Sequence, residues 1–184
     1  AIALPFALAA AVFLSEIADK RLYKLLKPAI ELLSGIPSVV YGFFGLIVVV
    51  PIVQKTFGLD VGETALSGAI ILAIMALPTI ITIAEDAMRA TPDTLREASL
   101  ALGANKWQTI YKVVIPHAKS GITAGVVLGI GRAMGETMAV LMVCGNAAVI
   151  PHTLLEPIRT IPATIAAELG EAPQGGAHYS ALFM

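Results

Sequence analysis

Two stretches without a charged side chain constrain this sequence more than any other feature. Leu32–Gln54 holds no Asp, Glu, Lys or Arg over 23 residues, and Thr64–Ala84 holds none over 21. About 20 mostly apolar helical residues cross the hydrocarbon core of a bilayer. A third stretch, Ser120–Glu156, is interrupted between its ends only by Arg132 and Glu136. One such run could belong to a buried soluble core, but three in 184 residues could not. Only 14% of the residues are charged, against about 25% in a soluble domain, too few to cover a water-facing surface. The fold class expected is therefore all-α, a polytopic transmembrane helix bundle. The spans expected are 1–15, 32–54, 64–85 and 120–150, with a fifth beginning at 179–184. The apolar stretches at both ends read as pieces of longer spans, so the chain looks truncated at both ends.

The connections alternate in charge. The first, Glu16–Glu31, carries Lys20, Arg21, Lys24 and Lys27; the third, Glu85–Lys119, carries Arg89, Arg96, Lys106, Lys112 and Lys119. The second and fourth carry one basic residue each, Lys55 and Arg159. Basic residues stay on the cytoplasmic side, so the first and third connections are expected in the cytoplasm and the others outside. The N-terminus lacks the basic region of a signal peptide.

The spans carry more than anchoring requires. Ile36-Pro37-Ser38 lies near the start of one and Pro78 inside another. Each proline removes a backbone donor, and the carbonyl it frees must be satisfied within protein. Gly121, Gly125 and Gly129 recur at intervals of four, which puts them on one helix face where a second helix can approach closely. The run Gly129–Gly135 reads GxGxxxG, one residue too long for a dinucleotide fingerprint and set inside an apolar helix. Arg132 and Glu136 are four apart, hence on one face if a single helix runs from about Gly121 to Asn146. A charge at mid-span costs about 2.5–3.5 kcal/mol on insertion scales. The pair is therefore expected either as a neutralising ion pair or as the wall of a polar pathway. A guanidinium presents a planar fork of donors suited to an oxyanion. Thr137 and Asn146 are further polar candidates on that stretch.

Residues 86–119 have a helical grammar of their own. Thr91-Pro92 reads as an N-cap followed by proline at the first helical position. The helix should stop at Gly103, a residue suited to the left-handed conformation. Asn105, with Gln108 three residues on, reads as a capping box for a second helix, and Trp107, Ile110 and Val114 fall at spacings of three and four. Two short amphipathic helices are expected on the cytoplasmic side.

Within this loop Glu97-Ala98-Ser99 is followed by three residues, Gly103, nine residues and Val113-Val114-Ile115-Pro116. This resembles the EAA loop of ABC importer permeases, EAA-x3-G-x9-I-x-L-P, with Ser for Ala at 99, Val for Ile at 113 and Ile for Leu at 115. SGIPSVVYG, GRAMGETMAV and TIAAELGEA sharpen the resemblance to the PstC-type permease subfamily of phosphate importers, over essentially the whole chain. The resemblance implies a type I permease fold of six helices, of which residues 1–184 would form one partial permease domain with 86–119 as its coupling loop. It implies that Glu97, Ala98, Gly103 and Pro116 carry the contact with a cytoplasmic ATPase dimer. It implies that Arg132 and Glu136 act in phosphate movement across the inner membrane. The other partners implied are a homologous permease subunit, a periplasmic or extracellular phosphate-binding protein and the lipid bilayer.

The chain has no P-loop GxxxxGK[ST]. No cofactor of its own is expected, and ATP-Mg would bind the ATPase partner. His117, His152 and His178 are scattered and form no metal-ligand pair. Ser15, Ser34 and Ser38 lack recognisable triad partners, so no enzyme activity is expected. Cys144 is the only cysteine, and a net charge of −1 gives no nucleic-acid footprint. Two other functions fit part of the pattern. A permease for sulfate or molybdate would share the loop, and an ion-coupled secondary transporter could use Glu136 as a proton carrier but would not need the loop.

Overall fold

In a computed structural model that describes residues 2–183, the chain is helical throughout its regular elements. In chain order these are α1 (Ala3–Ile17), α2 (Lys20–Ser34), α3 (Ser38–Phe57), α4 (Ala65–Arg89), α5 (Asp93–Ala101), α6 (Lys106–His117), α7 (Lys119–Met134), α8 (Met138–Val143), α9 (Ile161–Glu168) and α10 (Ala177–Ala181). Helices α3 and α4 are each long and apolar enough to cross a membrane; α6 and α7 would do so only as a pair, bent by 69°. Ala1 and Met184, which belong to the expected end spans, lie outside the described residues.

Two expected spans have different boundaries. The run 32–54 is divided: its first residues finish α2, and the spanning helix begins only at Ser38. Pro37 lacks an amide hydrogen and forces Ile36 out of the helical region, so the helix breaks there. The run 120–150 is not one helix either. Helix α7 ends at Met134, α8 occupies Met138–Val143, and Gly145 and Asn146 take positive φ values of 76° and 46°. Wide π turns at Gly45–Val49 and Ile110–Val114 directly precede Pro51 and Pro116 by one turn or less. A widened turn accommodates the missing proline donor and its ring.

Contacts divide the chain into two compact units, and α4 contributes to both. The first comprises Ala1–Gly35 and Ile74–Arg132. Its core joins Ala7, Ala11 and Leu14 of α1 to Ala76, Ile80, Ile81, Ala84 and Met88 of α4, with Val114 and Ala118. The glycine stripe of α7 packs on α4 as its spacing predicts. A methyl group at Gly121 would run into Ala87 Cβ, and one at Gly129 would lie 2.5 Å from Ile80 Cγ1. Gly125 faces Ile83 in the same row, while Gly131 faces open space.

The second unit comprises Ile36–Ala73 and Ala133–Met184. Here α8 lies against α3, with Gly42 facing Ala139 and Met142, and Gly45 facing Val143 and Ile71. The connection after α8 returns to the start of α4. The carbonyl oxygens of Leu154 and Glu156 accept the Leu66 and Ala65 amides at 2.8 and 3.0 Å. Two of the donors that a helix N-terminus leaves unpaired are thereby satisfied.

Candidate transport site and coupling loop

Arg132 lies in the last turn of α7 and is half-buried within the first unit. Its Nη1 donates to Ser34 Oγ and Thr79 Oγ1, and its Nη2 to the Ser34 carbonyl, each at 3.2 Å. Ser34 is the last residue of α2, so the guanidinium satisfies a carbonyl that the helix end leaves open. Thr79 follows Pro78 on α4. All three acceptors are neutral. Among the described residues of this unit, no carboxylate stands within ion-pair distance of Arg132. Within this unit the charge is held by dipoles.

Glu136 belongs to the second unit. The expectation that it shares a helix face with Arg132 is corrected by the break after Met134, which removes the i,i+4 geometry. Gly135 weakens the helix at that point, and the Glu136 carboxylate instead accepts the Ala139 amide at 3.2 Å, over the first turn of α8. Thr137 precedes α8, half-buried. Asn146 lies beyond α8. Its carbonyl and Oδ1 accept Arg159 Nε at 3.2 and 3.0 Å, and Arg159 continues to Glu168 at 2.5 Å.

The loop between α4 and α7 follows its sequence grammar closely. Helix α5 starts at Asp93, one residue later than the Thr91-Pro92 reading placed it; Pro92 occupies the cap position, and Thr91 is buried with no hydrogen-bond partner for its hydroxyl. The C-terminus is a Schellman arrangement. Gly103 takes φ 85°, its amide donates to Leu100, and the Ala104 amide donates to Ser99. The capping box is complete: Asn105 Oδ1 accepts the Gln108 amide at 2.8 Å, and Gln108 Oε1 accepts the Asn105 amide at 2.9 Å. Ser99, which replaces the alanine of the EAA pattern, shares a 3.0 Å hydrogen bond with Thr109 Oγ1 and ties α5 to α6. Glu97, Ala98, Gly103 and Pro116 are all exposed. Beside them, Leu102 is 90% and Trp107 63% exposed, an apolar surface that the first unit leaves uncovered.

A charge network at the base of this loop escaped the sequence reading. Glu85 is fully buried; Lys27 Nζ lies 2.5 Å from its Oε2 and 2.8 Å from Asp86 Oδ1, and Arg89 Nε lies 2.9 Å from its Oε1. Burial alone would lower the Lys27 pKa, but the bonds to Asp86 and Glu85 outweigh it and hold it above its ordinary value. Arg96 binds Glu16 at 2.8 Å and Asp93 at 3.1 Å, and also donates to the Met88 and Thr91 carbonyls at the end of α4. The Glu85/Arg89 spacing of four was the available signal; Glu16 and Lys27 had none, since their partners are 80 and 58 residues away.

Helices long and apolar enough to cross a membrane, together with a loop bearing the EAA spacing, are the features of a permease subunit. The chain belongs to the family of inner-membrane components of binding-protein-dependent transport systems, whose model matches residues 3–170. It is thus a multi-pass chain of the inner (cytoplasmic) membrane. It is 45% identical to the probable ABC transporter permease protein YqgH of Bacillus subtilis (strain 168), over 99% of this chain and 59% of that protein. It is 40% identical to the phosphate transport system permease protein PstC of Mesorhizobium japonicum, over 93% of this chain and 58% of that one. For PstC of Pasteurella multocida the identity is 39%, over 93% and 59%. The chain spans about three-fifths of the length of these curated relatives.

Proposed function

We propose that this chain forms part of the permease that moves inorganic phosphate inward across the cytoplasmic membrane. ATP is hydrolysed on a separate ATPase dimer, a homologous permease completes the pathway, and a binding protein delivers phosphate to the outward connections. The observation that carries the reading is the Arg132 guanidinium, half-buried on neutral acceptors. Phosphate at neutral pH carries one to two negative charges and loses hydration on entering a membrane. A guanidinium with no carboxylate at ion-pair distance among the described residues of its unit offsets part of that cost and offers paired donors to phosphate oxygens. Glu136, Thr137 and Asn146 are the other proposed pathway groups. Glu97, Ala98, Gly103 and Pro116 form the proposed ATPase contact, on a loop stiffened by its caps and by the Ser99–Thr109 bond.

The test is phosphate uptake by the full-length protein with its partners, with arsenate and sulfate as competitors. Arsenate should compete and sulfate should not; competition by sulfate alone would reassign the substrate. Glu97→Lys should abolish uptake while membrane levels stay normal. Unchanged uptake in that variant would remove the docking role of the loop.

A further inference from the structure

Helix α2 is divided into three sectors. Leu26, Ile30 and Tyr23 pack against the core of the first unit, and Lys27 on the same side reaches Glu85 and Asp86 of α4. The Arg89 guanidinium covers the Tyr23 ring at 3.8 Å. This inner sector fixes how the helix is turned about its axis. Around from it, Leu22, Leu25, Leu32 and Leu33 fall together on the helical wheel, and all four are exposed, Leu25 by 70% and Leu32 by 74%. The third sector carries Lys20, Arg21 and Lys24, all exposed and without an ion-pair partner among the described residues. Glu31 shares that sector but stands 4.0 Å from Lys27.

Four exposed leucines beside three unpaired cations form the pattern of a helix lying in a membrane interface. The apolar sector would enter the acyl boundary, and the cations would remain at headgroup level. The alternating loop charges put this helix on the cytoplasmic side, where the leaflet is anionic. We infer that α2 is an interfacial helix that binds anionic lipid headgroups through Lys20, Arg21 and Lys24, with Leu22, Leu25, Leu32 and Leu33 in the acyl boundary. Charge complementarity favours lipid over another protein chain as the occupant. The Lys27 and Arg89 contacts would then join a lipid-bound helix to the end of α4 that leads into the coupling loop.

The test uses the full-length permease, assembled with its partners and reconstituted in vesicles. A fluorophore is placed on a cysteine replacing Leu25, in a background without other reactive thiols. Quenching by brominated phosphatidylglycerol is compared with quenching by brominated phosphatidylcholine at equal mole fraction. Both lipids should quench, and the anionic one should associate more strongly, by about fivefold for each cation in contact. That preference should fall in Lys20→Gln and Lys24→Gln, shrink at high salt and survive Lys24→Arg. Absence of quenching by either lipid would mean that a protein chain covers the leucines, and would overturn the inference. Equal quenching by both would overturn the headgroup role. If the glutamine variants fail to assemble, the salt series on the parent protein still decides, because a salt-independent preference is incompatible with headgroup charge recognition.

Discussion

Arg96 and Arg132 perform the same structural task at two places in one unit, and they differ in what surrounds the charge. Each guanidinium donates to carbonyl oxygens at a helix end, Arg96 to Met88 in the last turn of α4 and to Thr91 just beyond it, Arg132 to Ser34 of α2. Arg96 also faces two carboxylates, Glu16 and Asp93. Arg132 has two hydroxyls in the corresponding places. An ion-paired arginine has its charge satisfied and contributes to stability. An arginine held by neutral dipoles keeps its field available to an anion, which is what the proposed pathway role of Arg132 requires.

Substitutions can separate the two roles. The largest effect on uptake is expected from Arg132→Gln, which keeps a polar side chain but removes the charge. Loss of one charged hydrogen-bonding group should lower uptake by about tenfold to a hundredfold, with thermal stability in detergent close to the parent. A lowered midpoint with normal uptake in the folded fraction would make Arg132 a second Arg96. Arg96→Gln should behave in the opposite way. It leaves Glu16, which is 9% exposed, without its cation, at a cost of about 3 kcal/mol. This should be seen as a lower melting midpoint and less assembled complex, with per-molecule uptake retained.

Smaller effects test the frame that holds both arginines. Gly121→Ala should cost about 2 kcal/mol, because the new methyl meets Ala87 Cβ, which cannot rotate away. Gly131→Ala, with open space beside it, should be neutral or stabilise by up to about 1 kcal/mol through helix propensity. Equal melting behaviour of the two variants would remove the packing role of the stripe. The smallest effect is Asn105→Ala, which opens the capping box at the start of α6 and should cost about 1 kcal/mol. It is best read as faster amide exchange at Gln108 and Thr109, with little change in global melting.

The coupling loop was legible because its signals are short. Gly103 ends α5, and Asn105 and Gln108 cap α6 as their spacing of three implies. The Gly121, Gly125 and Gly129 face was equally readable, since a spacing of four has one geometric meaning on a helix. The stretch after Met134 was not. Its apolar composition suits a continuous helix, but Glu136 engages the Ala139 amide and Gly145-Asn146 turns the chain with positive φ. Apolar composition measures compatibility with lipid and carries no information about where the backbone bends. For that reason the expected Arg132/Glu136 helix pair gave way to two separate environments.

The sequence by itself determined the membrane class, the caps of the 86–119 loop and the glycine contact face. The caps and the contact face follow from residues within about one or two helical turns, where spacing fixes geometry, and the membrane class from apolar runs of about 20 residues. Only the tertiary structure decided which partners the charges take. Arg132 reaches Ser34 across 98 residues of sequence, Arg96 reaches Glu16 across 80, and Glu85 is buried under Lys27 from 58 residues away. A buried charge must find a partner wherever packing brings one within about 3 Å. That choice depends on how helices distant in sequence come together, which no local spacing encodes.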